Sequence, residues 1–216
     1  MLLPSVETAL QQLFAGIRAL LPVDVEVAKP FRTAFPRPPF QRNDGQTGET
    51  HLPILRFWPL CLLQGGAADP AISDITAALV DLTPHLLWRQ NPNYRQSPPS
   101  AAFLDNYGYA EICGTYGLVD GAIRLGVLIL GPGTCYPPHR HPAEEIYLPL
   151  GLGGWQRGDA EVAEGHWTAQ PVGTVILHPP FVPHATRGLD HALAALYLWR
   201  GDLATEAQLD PQPAQR

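Results

Sequence analysis

The first part of the chain carries apolar residues at helical spacing. Between residues 5 and 21 they recur mostly every three or four positions, with polar residues between them. A second such stretch follows Asp69, which can cap a helix that has Pro70 at its first position. The pattern therefore predicts one helix over residues 5–21 and another that begins at Pro70 and ends before Thr83.

Two stretches of this first part show no sustained period. Residues 30–50 contain several prolines followed by the turn sequence Asn43-Asp44-Gly45, and we expect a loop there. Residues 85–106 are also interrupted by prolines, and we expect a structured connection without a long helix or strand.

From about residue 107 the pattern changes to short runs rich in β-branched and aromatic residues, separated by Gly and Pro. Such spacing is typical of a β-sandwich or small barrel. Residues 1–106 are therefore predicted to form an N-terminal helical extension and connection that packs on a barrel of residues 107–216. The clearest predicted strands are 123–130, 145–150, 166–169, 174–177 and 192–199.

Composition supports a folded chain with many turns. Its 216 residues suffice for one well-cored domain with an extension. Hydrophobic residues make up 45% and charged residues only 16%, which excludes a highly charged disordered chain. The 24 prolines and 20 glycines argue against long helices.

Charge, apolar runs and cysteine content indicate which partners and which cellular location to expect. The net charge is −6 and Lys29 is the only lysine, so we expect no nucleic-acid binding. The sequence also predicts no secretory signal and no apolar run of about 20 residues that could span a membrane. Three widely spaced cysteines fit reduced thiols, so the predicted location is the cytoplasm. Cys135 lies beside the motif described next, but we interpret it as a small, partly buried hydrophobic residue.

The candidate chemistry is concentrated in the β-rich half. His139 and His141 have the two-residue spacing that places both imidazoles on one face of an extended segment, and Glu145 and Tyr147 share a parity on the next strand. Imidazoles and a carboxylate that converge are suitable ligands for a divalent metal. A further ligand is expected from a neighbouring strand, and the block of residues 173–184 offers His178 and His184.

These two blocks resemble the motifs of the cupins, G-x5-H-x-H-x3/4-E-x6-G and G-x5-P-x-G-x2-H-x3-N. The first is matched as far as its glutamate, and the second keeps the spacing from Gly173 to Pro179 and on to the histidine. Phe181 and Gly188 replace the second motif's later glycine and asparagine, and the last glycine of the first motif is not matched. The resemblance implies a mainly β fold, the double-stranded β-helix or cupin jelly roll. It also implies a metal site formed by His139, His141, Glu145 and His184. His178 is an alternative to His184 as the last ligand.

A closer resemblance links residues 136–147, with 91–94 and 106–111, to the bacterial cupin-type dimethylsulfoniopropionate (DMSP) lyases, and it extends over about residues 88–199. It implies β-elimination of DMSP, a sulfonium carboxylate, to dimethyl sulfide and acrylate. Tyr147 would remove the proton, with Tyr136 as helper or second candidate. The aromatic residues expected to hold the sulfonium are Tyr107, Tyr109, Trp88 and Trp199.

Several alternatives stay open from the sequence. Tyr147 could be an ordinary barrel aromatic, and the same ligands would serve an Fe(II)-dependent cupin dioxygenase or a non-enzymatic cupin that binds a small molecule. The expected cofactor is one divalent transition metal ion per chain, and the ligand set accepts zinc, iron, manganese, cobalt or nickel. The oligomeric state stays open, and an exposed barrel edge or helix face would suit a homodimer.

Overall fold

Helices occupy the first half of the chain. The computed structural model describes residues 2–64, 69–158 and 167–210. Short 3₁₀ helices cover Pro53–Phe57, Thr83–His85 and Leu104–Asn106. The α-helices in these residues are α1 (Pro4–Leu20), α2 (Lys29–Ala34), α3 (Trp58–Gln64), α4 (Pro70–Leu82) and α5 (Pro92–Gln96). None of the helices in the described ranges is both long and apolar enough to cross a membrane.

The remaining elements are antiparallel strands in two sheets. The first sheet has the order β1-β2-β3-β10-β5-β8, and the second has the order β11-β4-β9-β6-β7. The strands are β1 (Trp88–Arg89), β2 (Tyr107–Cys113), β3 (Arg124–Leu130), β4 (Cys135–Arg140), β5 (Glu144–Pro149), β6 (Gly153–Arg157), β7 (Thr168–Gln170), β8 (Ile176–His178), β9 (His184–Gly188), β10 (Leu193–Arg200) and β11 (Gln208–Leu209).

The connection between the sheets defines the fold. From β3 to β10 the chain passes back and forth, so that β3, β10, β5 and β8 lie in one sheet and β4, β9, β6 and β7 lie in the other. This nested order is that of an eight-stranded jelly roll. The predicted double-stranded β-helix with N-terminal helices is therefore confirmed.

Both faces of the first sheet are buried, which explains why β2 and β3 contain no exposed position. The outer face packs against α1 and α4 in one continuous core that includes Ile72, Ile146 and Leu198. The inner face forms a second cluster inside the barrel, dominated by tyrosines and tryptophans. Since both layers bury apolar area, the helices extend the barrel's core.

Local signals explain where the two main helices begin. Both start with proline in the first turn, where the missing N–H would have no partner inside the helix. Asp69 caps α4 as predicted, since its carboxylate accepts a hydrogen bond from the Ala71 N–H at 2.7 Å. The predicted helices over 5–21 and from Pro70 are thus confirmed within a residue or two.

Other boundaries differ from the sequence expectations. Residues 30–50 are not entirely a loop, because Pro30 lies in the first turn of α2, whose buried Phe31 anchors it. The strand expected over 166–169 is observed at Thr168–Gln170, and its first predicted residue, His166, lies outside the described residues. The strand expected over 174–177 begins two residues later, at Ile176.

Candidate metal centre and its cavity

Three buried histidines meet inside the barrel. His139 on β4 and His184 on β9 are register partners on adjacent strands, and His141 follows directly after β4. One ring nitrogen from each lies within 4.8 Å of those of the other two. The pair predicted from the His-x-His spacing is therefore joined by a histidine from the second block.

The backbone sets the orientation and tautomer of each ring. Every Nδ1 atom lies about a hydrogen-bond length from a carbonyl oxygen close to it in the chain. Because a carbonyl can only accept, each Nδ1 carries a proton, which leaves each Nε2 as the nitrogen that can ligate a metal. The pairs are His139 Nδ1 with Pro137 O at 2.9 Å, His141 Nδ1 with Ala143 O at 3.0 Å, and His184 Nδ1 with Val182 O at 2.9 Å.

Glu145 supplies a carboxylate to the same point. Its Oε2 lies 3.1 Å from His141 Nε2 and 3.0 Å from His184 Nε2. Burial alone would raise the pKa of Glu145, but positive charge at the two imidazoles and hydrogen bonds from them outweigh it and hold that pKa well below its usual range. A metal ion supplies that positive charge when the two Nε2 atoms carry no proton, so this donor set fits a divalent metal.

Trp199 fixes the carboxylate from the other side. Its indole Nε1 donates a hydrogen bond to Glu145 Oε1 at 2.6 Å, and its ring stacks on His141 with centroids 4.0 Å apart. The two residues are register partners on β10 and β5. Trp199 therefore orients Glu145 as the partner of a metal ligand does.

His178, the alternative ligand, lies just outside the three-histidine group. It pairs in register with Glu145, and its buried ring stacks on His184 with centroids 4.0 Å apart. Burial, and next the proximity of His184, lowers the pKa of His178 to about 3. The ring is thus neutral, and within the described residues neither of its nitrogens has a hydrogen-bond partner.

The two candidate proton acceptors adjoin this group. Tyr147 lies two residues after Glu145 on β5, with its ring centroid 6.3 Å from that of His184. Tyr136 stacks on His139 at 3.9 Å, and its hydroxyl lies 3.0 Å from that of Tyr94. Burial raises the pKa of both tyrosines well above the ordinary value, so either would need a nearby cation to serve as a base.

One cavity connects these side chains with a tyrosine-rich wall. It contains about 400 Å³ of space, including its mouth. The sequence-predicted residues that line it are His139, Glu145, Tyr136, Tyr147, Tyr107, Tyr109 and Trp199. Trp88 does not join them, because it packs edge-on against Trp58 in the outer core, 5.1 Å between centroids.

Six residues of the cavity wall were not predicted from the sequence: Asn91, Arg124, Leu128, Tyr197, Glu206 and Ala207. Arg124 carried a signal, since it is the charged residue in an otherwise apolar strand that is buried on both faces. Glu206 carried none, because it reaches the cavity from the segment after the last barrel strand.

The jelly-roll fold and the buried histidine group define a cupin barrel with a candidate metal centre. Residues 39–194 match the family model of the dimethylsulfoniopropionate lyases, and the chain belongs to that family.

Individual relatives agree with this assignment. The dimethylsulfoniopropionate lyase DddQ of Ruegeria pomeroyi is 38% identical over 121 residues, 55% of this chain. The matched part spans 56% of that relative's length. The crystal structure of DMSP lyase DddQ from Ruegeria pomeroyi DSS-3 has a TM-score of 0.71 at 27% identity, covering 94% of this chain and 96% of that one. A chain from the crystal structures of the DMSP lyases RdDddP and RnDddQII has the same TM-score at 23% identity, covering 95% and 100%, which supports the fold.

Proposed function

We propose that this protein cleaves DMSP to dimethyl sulfide and acrylate by β-elimination. The observation that carries the proposal is a cavity in which His139 and Glu145 of the donor group meet Tyr147 and aromatic faces, in a chain of the DMSP lyase family. The relative DddQ, described as a DMSP lyase, supports the substrate.

We propose that His139, His141, Glu145 and His184 hold one divalent metal ion. When bound, such an ion supplies Lewis acidity, which draws electrons from a substrate carboxylate and makes the neighbouring C–H bond more acidic. Burial, and next the proximity of His184, lowers the pKa of His139 well below its ordinary value, so this ring is neutral and ready to ligate. The donor set does not select among zinc, iron, manganese, cobalt and nickel.

Tyr147 is the proposed base. Its phenolate oxygen takes the proton on the carbon next to the carboxylate, and the C–H electron pair becomes the new C=C bond. The C–S bond breaks with its electrons remaining on sulfur, so dimethyl sulfide leaves as a neutral molecule and needs no general acid. Tyr136 is the proposed helper, since its hydroxyl shares a hydrogen bond with Tyr94 next to His139.

The decisive test measures dimethyl sulfide in the headspace above purified, metal-loaded protein incubated with DMSP. Tyr147→Phe is expected to lower kcat by at least 100-fold, because the base is removed. Tyr116→Phe is the control, since it also removes a phenol hydroxyl but from a residue outside the cavity lining, and it should retain most activity. Absence of dimethyl sulfide from the native protein would refute the lyase proposal, and full activity in Tyr147→Phe would refute only the base.

Metal content provides a separate test. Elemental analysis of protein purified without an affinity tag is expected to give about one divalent ion per chain, and less in His184→Ala. His191→Ala is the control, since this histidine lies outside the three-histidine group. A native protein that stays metal-free after supplementation would contradict the ligand set.

The cytoplasmic location stays a prediction, supported by the three unpaired cysteines. The homodimer also stays a prediction.

A further inference from the structure

A group of charged residues lies at the cavity apart from the metal ligands. Arg124 projects from the inner face of β3 and lines the cavity together with Glu206. Its Nη1 and Nη2 atoms each donate to one oxygen of Glu206, both at 3.3 Å. Its Nε lies 3.0 Å from an oxygen of Glu111. The proposed mechanism uses none of these three side chains.

The strand register places this group at a distance from the metal site. Arg124, Trp199 and Glu145 are successive register partners across β3, β10 and β5. Neighbouring strands are separated by about 4.8 Å, so the backbones of Arg124 and Glu145 lie about 10 Å apart. The indole of Trp199 lies between them, with the Arg124 guanidinium carbon 5.2 Å from its ring centroid.

The group contains two carboxylates, Glu111 and Glu206, and two guanidiniums, Arg124 and Arg89. Glu111 is fully buried and accepts a hydrogen bond from the Tyr116 N–H at 2.8 Å. Glu206 is the carboxylate that keeps some exposure, 24% of its side chain. Arg89 interacts with both carboxylates and with Tyr109, but it is not among the cavity-lining residues. Of these four groups, Arg124 and Glu206 line the cavity, and Glu206 carries the negative charge.

The segment that carries Glu206 is fixed to the barrel. The carbonyl oxygen of Ala207 accepts hydrogen bonds from the side-chain amides of Asn91 at 2.9 Å and Asn93 at 3.3 Å. The next two residues form β11, which pairs with β4 at His139 and Arg140. Glu206 is thus held in place by the contacts of the three residues that follow it.

The aromatic wall beside Glu206 suits a cation. Tyr109 and Tyr197 line the same cavity with ring centroids 6.2 Å apart, and ring faces attract an onium group. The Tyr197 hydroxyl is packed against Gly126 and has no hydrogen-bond partner among the described residues.

We propose that Glu206 binds the cationic end of the substrate and makes the cavity selective for zwitterions that carry an onium group. The inference rests on the proposed function, which directs the substrate carboxylate to the metal ligands and its other end away from them. A sulfonium is repelled by a metal ion and by Arg124, so Glu206 is its counter-charge. Arg124 and Glu111 are positioning residues that hold the Glu206 carboxylate.

The test compares two ligands of the same shape by titration calorimetry on metal-loaded protein. They are 3-(trimethylammonio)propanoate, which is zwitterionic, and 4,4-dimethylpentanoate, in which carbon replaces the charged nitrogen. The native protein is expected to bind the zwitterion about tenfold more tightly, and Glu206→Gln should lose that preference while keeping its affinity for the carbon isostere, which carries only the carboxylate charge. Retained affinity for the isostere also shows that the variant is folded.

Asp210→Asn is the matched control. Asp210 belongs to the same segment and also forms an ion pair with an arginine, Arg140, at 2.8 Å, but it lines a different cavity. It should leave the preference intact. Loss of preference in this control, an unchanged preference in Glu206→Gln, or no preference in the native protein would each overturn the inference.

The calorimetry also separates this inference from the proposed lyase activity. Selective binding without release of dimethyl sulfide from DMSP would leave the cation subsite standing and refute the reaction. Release of dimethyl sulfide without any preference for the zwitterion would support the reaction and overturn the cation subsite.

Discussion

Single side chains determine how well the donor group is held. Glu145 accepts a hydrogen bond on Oε1 from Trp199, and its Oε2 faces two histidines. The Tyr147 side chain also hydrogen-bonds to this carboxylate. Without the hydrogen bond from Trp199 the carboxylate could turn away from the ligand nitrogens. Residues that orient a metal ligand in this way affect metal affinity strongly, although they do not touch the metal.

Trp199→Phe should therefore weaken metal binding by about tenfold, because it removes the Nε1 donor and keeps an aromatic ring on His141. Competition with a chromophoric chelator measures the affinity. Trp155→Phe is the control, since Trp155 is buried in the same inner cluster but its Nε1 has no hydrogen-bond partner in the described ranges. Equal affinities in the two variants would contradict the positioning role.

Two glycines of the cupin motifs, and the phenylalanine that replaces a third, have positive φ angles. Gly133 and Gly173 have φ of 66° and 78°, the left-handed region in which a side chain costs free energy. Phe181, where the second cupin motif has glycine, has φ of 62° and is 63% exposed. Its N–H donates to the carbonyl of His141 at 2.9 Å, so the turn keeps its shape despite the replacement.

Phe181→Gly should raise the free energy of unfolding by up to about 1 kcal/mol, because relief of the left-handed strain exceeds the entropy cost of glycine and little buried area is lost. That gain corresponds to about 2–4 °C in Tm. Phe181→Ala keeps the Cβ atom and should show no such gain. Thermal unfolding measures both, and equal Tm values for the two variants would argue against strain at this residue.

Whole elements show a conflict between local propensity and packing. Gly16 lies inside α1, where glycine normally weakens a helix by about 1 kcal/mol relative to alanine. A Cβ atom at this position would lie 2.8 Å from Cγ1 of Ile75 and 3.0 Å from the carbonyl oxygen of Ala71, both in α4. Glycine is therefore required by the close approach of two helices.

Gly16→Ala should lower the free energy of unfolding by about 1–3 kcal/mol, because overpacking between α1 and α4 exceeds the gain in helix propensity. Urea unfolding measures the change. Ala15→Gly, at the exposed neighbouring position, should cost about 1 kcal/mol through propensity alone. A more stable Gly16→Ala protein would show that the two helices can separate without penalty.

The elements also show what sequence could predict. The 5–21 and 70–82 helices extend over several turns, so their periodicity and first-turn prolines are sufficient signals. α2 has only six residues and one buried side chain, too few to produce a period. The histidine and glutamate positions were predictable because each block of the motif is local in sequence. Glu206 was not, since only the return of the chain across the barrel brings it to Arg124.

At the scale of the whole molecule, the helices and the barrel share one core. The outer cluster joins Ile72 of α4 to Ile146 and Leu198 of the first sheet, so a defect in the helical layer removes contacts from barrel strands. We therefore predict that residues 1–106 and 107–216 unfold together, although the change from helices to strands near residue 107 is sharp.

Ile72→Ala provides the test of this prediction. The side chain is fully buried, and its truncation should lower the free energy of unfolding by about 2–5 kcal/mol. Val80→Ala on the same helix, at a position 54% exposed, should change it little. In Ile72→Ala, circular dichroism at the helical band and tryptophan fluorescence, to which Trp155 and Trp199 inside the barrel contribute, should shift to the same new midpoint in urea. If the fluorescence midpoint stayed at its native value, the inner aromatic cluster would be sufficient to stabilise the barrel without the helical layer, and the prediction would be wrong.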